Sequence, residues 1–207
     1  MEKLDLSKKY KTYFSAVQTP QVVEIEPAHF LSIRGKGDPS GQAFLEKLQA
    51  LYATAYTLKF KYKSMGKDFV VSKLEALWWF DESKFAGITM DEAPQKIDRS
   101  EWEYRLLIRM PEYVNDHEVN ETKETAFQKK GWLLIKEICL FQMTEGKCVQ
   151  MLHLGPFAKE PETLSIMAKF ITEKAFSKNG YHHEIYLSDF NRTVPEKLKT
   201  ILREPVI

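Results

Sequence analysis

Cysteine is nearly absent from this sequence: its 207 residues hold only Cys139 and Cys148. No CxxC pair exists, which excludes a thiolate-bound metal ribbon and a disulfide framework. The two cysteines flank Met143-Thr144-Glu145-Gly146-Lys147 and would face each other across a hairpin there; they read as two free thiols. An excess of charge is missing as well. Thirty Lys and Arg stand against 29 Asp and Glu, a net charge of +1, with the basic residues scattered among acids. No global field or basic stripe draws such a chain to nucleic acid or to an anionic membrane. Apolar runs extend only a few residues, too short to span a bilayer. Residues 1–9 lack the apolar core of a signal peptide. The expectation is a cytoplasmic protein with neither nucleic acid nor membrane as a direct partner.

Three catalytic signatures are missing too. There is no GxGxxG and no GxxxxGK[ST], so Gly35 and Gly37 read as a turn rather than a phosphate loop. No GxSxG supplies a hydrolase nucleophile elbow. Nothing calls for a cofactor.

What the chain does have is apolar and aromatic mass, 43% and 13% of residues, enough for a sizeable core. Tyr10, Tyr13 and Phe14 lie on an extended N-terminal segment expected to drape over that core. A strand around residues 30–34 ends at Gly35-Lys36-Gly37-Asp38-Pro39. Phe44, Leu48, Leu51, Tyr52, Ala55 and Tyr62 then follow helical spacing, stopped by Gly66. Residues 70–80 form a second strand. Residues 81–100 are a long polar connection, either a surface excursion or a lid. Alternation at 102–110 predicts a strand with Trp102, Tyr104, Leu106, Ile108 and Met110 on one side. A polar helix over about 118–130 ends at Gly131, and strands near 137–143 and 147–155 read as a hairpin across Glu145-Gly146. Pro161 suits the first turn of a helix that turns Leu164, Met167, Ala168, Ile171 and Ala175 inward. A strand over residues 182–189 and an extended piece near 200–202 complete the pattern.

Residues 20–111 and 132–207 therefore repeat one order: strand, glycine turn, helix, glycine stop, carboxylate-bearing strand, final strand. This predicts an α+β fold in a single domain over residues 1–207, built from duplicated strand-helix-strand-strand units about a pseudo-twofold with a ligand cleft between the repeats. The carboxylates, Glu75 and Glu184, occupy matching places, and a carboxylate on a buried strand is costly unless paired or used.

Alternation puts His182, Glu184 and Tyr186 on one side of their strand and His183, Ile185 and Leu187 on the other. The first set reads either as a pocket face or as a solvated edge. His182 with Glu184 supplies too few ligands for zinc, so no metal is expected. Glu75, Leu77 and Trp79 share one side of the earlier strand, and Leu74, Ala76, Trp78 and Phe80 the other. One of the two tryptophans serves the core, while the second is free to wall a flat ligand. Tyr56 lies one helical turn from Tyr52, so the two hydroxyls can reach one region. His153 reads either as a satisfied, half-buried histidine or as a site residue.

The ordered set Ile33-Arg34-Gly35-Lys36-Gly37-Asp38-Pro39, Ala55-Tyr56-Thr57-Leu58-Lys59-Phe60, Leu74-Glu75-Ala76-Leu77-Trp78-Trp79, Leu152-His153-Leu154-Gly155-Pro156 and His182-His183-Glu184-Ile185-Tyr186-Leu187-Ser188-Asp189 resembles the stand-alone GyrI-like small-molecule-binding proteins, from about residue 10 onward. The departures are Phe190, where a proline often follows Ser-Asp, and Ala76, where glycine is common. The resemblance implies the duplicated fold and a pocket carboxylate among aromatics that receives planar, hydrophobic or cationic small molecules; the matching position is Glu184. It also implies, from similar stand-alone members, hydrolysis of cyclopropane-containing DNA-alkylating toxins. Glu184 would then be the general base, since burial makes a carboxylate a stronger base. Tyr186 or Tyr56 would orient water or donate to the carbonyl, Trp79 and Trp102 would hold the ligand, and His153 and Glu75 complete the candidate lining. The alternatives are a sequestering drug binder and a gyrase-inhibitor-like interaction protein. About 20 residues precede the first family strand, too few for a helix-turn-helix.

Overall fold

The computed structural model describes residues 3–207. Its elements run α1 (Leu6–Lys9), β1 (Gln21–Ile25), β2 (Ala28–Lys36), α2 (Gln42–Ser64), β3 (Leu74–Trp79), α3 (Ala93–Lys96), β4 (Glu103–Met110), α4 (Asp116–Lys130), β5 (Cys139–Met143), β6 (Gly146–Leu154), α5 (Glu160–Glu173), β7 (His182–Tyr186) and β8 (Lys199–Pro205). The eight strands form one antiparallel sheet in the order β1-β6-β8-β7-β3-β4-β2-β5. The fold is α+β. The unit β2-α2-β3-β4 recurs as β6-α5-β7-β8, and the sheet orders β3-β4-β2 and β7-β8-β6 meet at the β3–β7 pair. That arrangement is the duplicated strand-helix-strand-strand unit with its pseudo-twofold between the halves.

The expected hairpin at 137–155 does not form. β5 pairs with β2, while β6 pairs with β1 and β8. Residues 144–145 are instead a corner in one long strand. Its partner is a second bent strand, β1 continuing into β2, which extends the strand expected around residues 30–34 back to Gln21. Ile25 faces Gly146 and Ala28 faces Met143, so the register is unbroken through both corners. Long-range pairing of two bent strands has overridden a local turn signal. Cys139 and Cys148 consequently lie in different halves as free thiols, the first exposed and the second buried.

Helices cover one face of the sheet. Leu51, Ala55 and Leu58 of α2 bury against Leu31, Ile33, Leu106 and Ile108, and Leu164 and Met167 of α5 against Val149, Met151 and Leu202. Ala175 does not join them: α5 ends at Glu173, and Ala175 turns left-handed with φ 55°. The opposite face holds Phe30, Leu77, Leu107, Ile185 and Ile201, closed over by Leu6, Tyr13 and Phe14. The N-terminal segment thus serves as a plug on the face that lacks α2 and α5.

Gly35 lies inside β2, one residue further than the predicted strand end, directly across from Tyr104. A Cβ there would stand 2.3 Å from Tyr104 Cζ. Only a bare backbone lets that ring lie flat on β2 and continue under Phe44, 4.9 Å away. Gly35→Ala is expected to destabilise the fold by about 1–3 kcal/mol through overpacking, read as a lower denaturant midpoint at unchanged slope.

Candidate ligand cleft

The cleft lies on the helical face where the two units meet, and its floor comes from β7 and β3. On β7 the polar row is His182, Glu184 and Tyr186, as alternation requires, with Glu184 half-buried between two buried neighbours. Across the strand pair, Ala76 stands opposite Glu184 and Trp78 opposite His182. The small Ala76 side chain leaves the carboxylate room to project, and Trp78 supplies an indole wall. Trp102 meets Trp78 edge-on at 5.9 Å, its Nε1 donating to the Ile97 carbonyl at 3.4 Å. Phe44 of α2 stacks near-parallel to Trp78 at 6.1 Å. Phe157, Tyr186 and Phe190 form a mutually edge-on trio with centroids 5.8–6.0 Å apart. Residues 81–100 close the remaining side through Met90, Pro94 and Arg99. The volume of the cleft is about 400 Å³, the size of a small-molecule site with apolar walls and few polar groups.

Those polar groups are wired together. Trp78 Nε1 donates to the Tyr186 hydroxyl at 3.3 Å, which donates to Glu184 Oε2 at 2.5 Å. Glu184 Oε1 lies 3.3 Å from His182 Nε2, at ion-pair distance, and His182 Nδ1 lies 2.6 Å from Glu204 Oε1. Burial alone would depress the His182 pKa, but Glu204 and Glu184 outweigh it and hold it at about 10. His182 is therefore an imidazolium at neutral pH, clamped between two carboxylates. Burial and the neighbouring Glu184 push the Tyr186 phenol well above its usual range, so it stays a hydrogen-bond donor. The Glu184 carboxylate is thus aimed by one donor and one cation at the floor of an aromatic box.

Of the residues singled out by sequence, Glu184, Tyr186 and Trp102 come together here. Trp79 is on the opposite face, stacked on Tyr181 at 4.5 Å with the Arg34 guanidinium 5.2 Å from its ring; Trp78 is the tryptophan of the β3 pair that faces the cleft. Glu75 also points away, accepting from the Tyr13 hydroxyl at 2.5 Å and lying 3.0 Å from His183 Nε2. Glu75 and Glu184 therefore occupy opposite faces and are not twofold mates; the neighbour of Glu184 is Ala76. Tyr56 is exposed on α2, stacked with Tyr52 at 6.4 Å, and lines a separate depression of about 340 Å³ beyond Tyr186 and Phe190. His153 is buried with Nδ1 2.8 Å from Thr163 Oγ1 and Nε2 3.2 Å from the Pro156 carbonyl; burial lowers its pKa, as suits a neutral structural histidine.

Sequence reasoning missed Glu160, Glu204, Phe157 and Met90. Glu160 precedes Pro161 at the start of α5 and reads as an ordinary solvated helix-start acid; nothing local announces its burial. Among the described residues, no three His, Cys, Asp or Glu side chains are grouped to hold a metal ion, and no helix is long and apolar enough to cross a membrane.

Comparison with known proteins agrees with this architecture. The GyrI-like small molecule binding domain family matches residues 18–206. An uncharacterized conserved protein from Listeria innocua shares 34% identity, with TM-score 0.88, over 99% of this chain and all of its own. A hydrolase from Listeria innocua matches at 34% identity and TM-score 0.83, over 99% and 100% of the two chains. The C-terminal domain of EcmrR shares the fold at 10% identity and TM-score 0.55, over 91% and 97%. No curated protein sequence matches.

Proposed function

This chain belongs to the GyrI-like small-molecule-binding family, and on that premise we propose that its cleft takes planar hydrophobic or cationic molecules and hydrolyses those that carry an electrophilic cyclopropane, as in DNA-alkylating toxins. The observation that supports this best is the Glu184 carboxylate, held by Tyr186 at the floor of a cleft walled by Trp78, Trp102 and Phe44. The 34%-identical Listeria hydrolase, matched over its full length, favours a hydrolytic reading.

In a cyclopropane fused to a conjugated dienone, strain supplies much of the driving force. Glu184 takes a proton from a bound water as the water oxygen bonds to the cyclopropane methylene carbon. The strained C–C bond breaks, and its electron pair flows into the ring, turning the dienone into a phenolate. That oxygen takes up a proton and Glu184 releases the one it gained, so the net change is addition of one water. Tyr186 is a positioning residue, since its proton is committed to Glu184. The aromatic walls orient the flat ligand and exclude bulk water from the reacting centre.

The test is chromatographic. Purified protein mixed with a cyclopropapyrroloindole-type alkylator is expected to yield many ring-opened products per protein. Depletion of one equivalent with no product would identify a sequestering pocket and end the catalytic reading. The indoles provide a second check. Trp78→Phe is expected to weaken binding of a planar dye by about 1–2 kcal/mol, whereas Trp79→Phe leaves it unchanged by calorimetric titration. An equal loss in both would place the ligand elsewhere.

A further inference from the structure

One carboxyl in the cleft has no assigned work. Glu160 lines the same wall as Glu184 and His182, yet only 7% of its surface is exposed. Its Oε1 is buried without a hydrogen-bond partner. An unpartnered oxygen in an apolar wall is expensive, and the side chain that carries it lines the cleft. The charged and polar groups that face it are Glu184 and His182 from β7 and Thr200 from β8. No lysine or arginine from those strands offsets a negative charge there.

We propose that the Glu160 carboxyl is the proton donor to a conjugated carbonyl of the ligand, which makes planar ketones the preferred class for this cleft. The inference rests on the cleft being the ligand site and extends the hydrolytic reading given above. Burial, together with repulsion from Glu184, pushes Glu160 well above the usual carboxylate range, and His182 and the Thr200 hydroxyl only partly offset this. It therefore enters the reaction as an acid while Glu184 serves as the acceptor. Two carboxyls in one pocket are thereby driven into opposite roles.

The step balances. As water adds at the methylene carbon and the strained C–C bond breaks, the dienone oxygen gains electron density and takes the Glu160 proton. The O–H bond pair stays on Glu160 as a carboxylate, and Glu184 has meanwhile gained a proton from water. Transfer of that proton from Glu184 to Glu160, directly or through water, restores both groups. No oxidant, metal or co-reactant is needed.

Fluorenone and fluorene, flat tricycles that differ by one carbonyl, separate this proposal from the hydrolytic one. Quenching of the Trp78 and Trp102 fluorescence is expected to show wild type binding fluorenone about fivefold to tenfold more tightly than fluorene. Glu160→Leu should erase that preference, and Glu160→Gln, whose amide still donates, should keep it. With the cyclopropane alkylator, Glu160→Gln should lower kcat about 100-fold with fluorenone affinity retained. Equal wild-type affinity for the two tricycles, or a preference that survives Glu160→Leu, overturns the carbonyl contact. Full turnover in Glu160→Gln overturns the acid role and leaves the hydrolase standing. A wild type that prefers fluorenone through Glu160 but never turns over retires the hydrolytic reading alone. Binding of neither tricycle removes both.

Discussion

Glu184→Gln is expected to lower ring-opening turnover by about 10²–10⁴-fold, the usual worth of a positioned general base. The substitution is nearly isosteric, and the new amide oxygen can still accept from the Tyr186 hydroxyl, so the Trp78–Tyr186 arrangement survives. What disappears is the capacity to take a proton from water, together with one of the two carboxylates that face His182. Neutral planar ligands should bind as before, while cationic ones lose the attraction of the carboxylate. Tyr186→Phe should fall between wild type and Glu184→Gln, because it releases Glu184 from its aim without removing the base. Steady-state kinetics with a neutral alkylator, set beside calorimetric binding of a neutral and a cationic dye, separates these effects. A Glu184→Gln protein that turns over at the wild-type rate would remove Glu184 from the chemistry.

The second large effect is expected on the opposite face of the sheet. Arg203 is fully buried, donating to Glu145 at 3.0 Å, to Gln150 at 2.9 and 3.1 Å and to the Tyr13 carbonyl at 3.0 Å. Glu145 also contacts His183 Nδ1 at 2.8 Å, and His183 Nε2 reaches Glu75 at 3.0 Å. One guanidinium and one imidazole therefore face two carboxylates beneath the strand corner. Arg203→Met should cost about 3–5 kcal/mol, because it strands Glu145 without its cation. For a chain of this size that is a fall in Tm of roughly 6–20 °C. The N-terminal plug, held by the Arg203 bond to Tyr13, should also become more exchangeable in its amides. A variant with both Arg203 and Glu145 replaced by apolar residues should recover part of the loss. An unchanged Tm in Arg203→Met would mean that the network adds nothing to stability.

The same network sets a pH window. Burial opposes the Glu145 charge, but His183 and Arg203 prevail and lower its pKa from 4.5 to about 2. Its contribution is present above 4.5 and is lost as pH falls through about 2. His183 is shifted the other way: burial lowers its pKa, yet Glu145 and Glu75 raise it above 6.5. Its contribution is whole below 6.5 and is lost as pH rises through the raised value. Both are intact between about pH 4.5 and 6.5, and acid should unfold the protein more readily once Glu145 protonates.

The sequence by itself determined whatever obeys a short period. Alternation placed His182, Glu184 and Tyr186 on one side of β7 and separated Trp78 from Trp79, because successive strand residues point apart wherever the strand lies. The order of elements in each half was legible for the same local reason, as were the helix stops at Gly66 and Gly131, where left-handed backbone favours glycine. Tertiary structure decided everything that depends on which face a helix covers. Alternation does not say whether Trp78 or Trp79 faces the cleft; that follows from α2 lying over the Ala76 side of β3. It does not show that residues 144–145 form a corner, because β5 and β6 find their partners more than 30 residues away in the chain or beyond. Nor does it reveal Glu160 as an acid in an apolar wall, since burial of a helix-start carboxyl comes from the strands and loops packed around it, and a one-dimensional pattern carries no record of them.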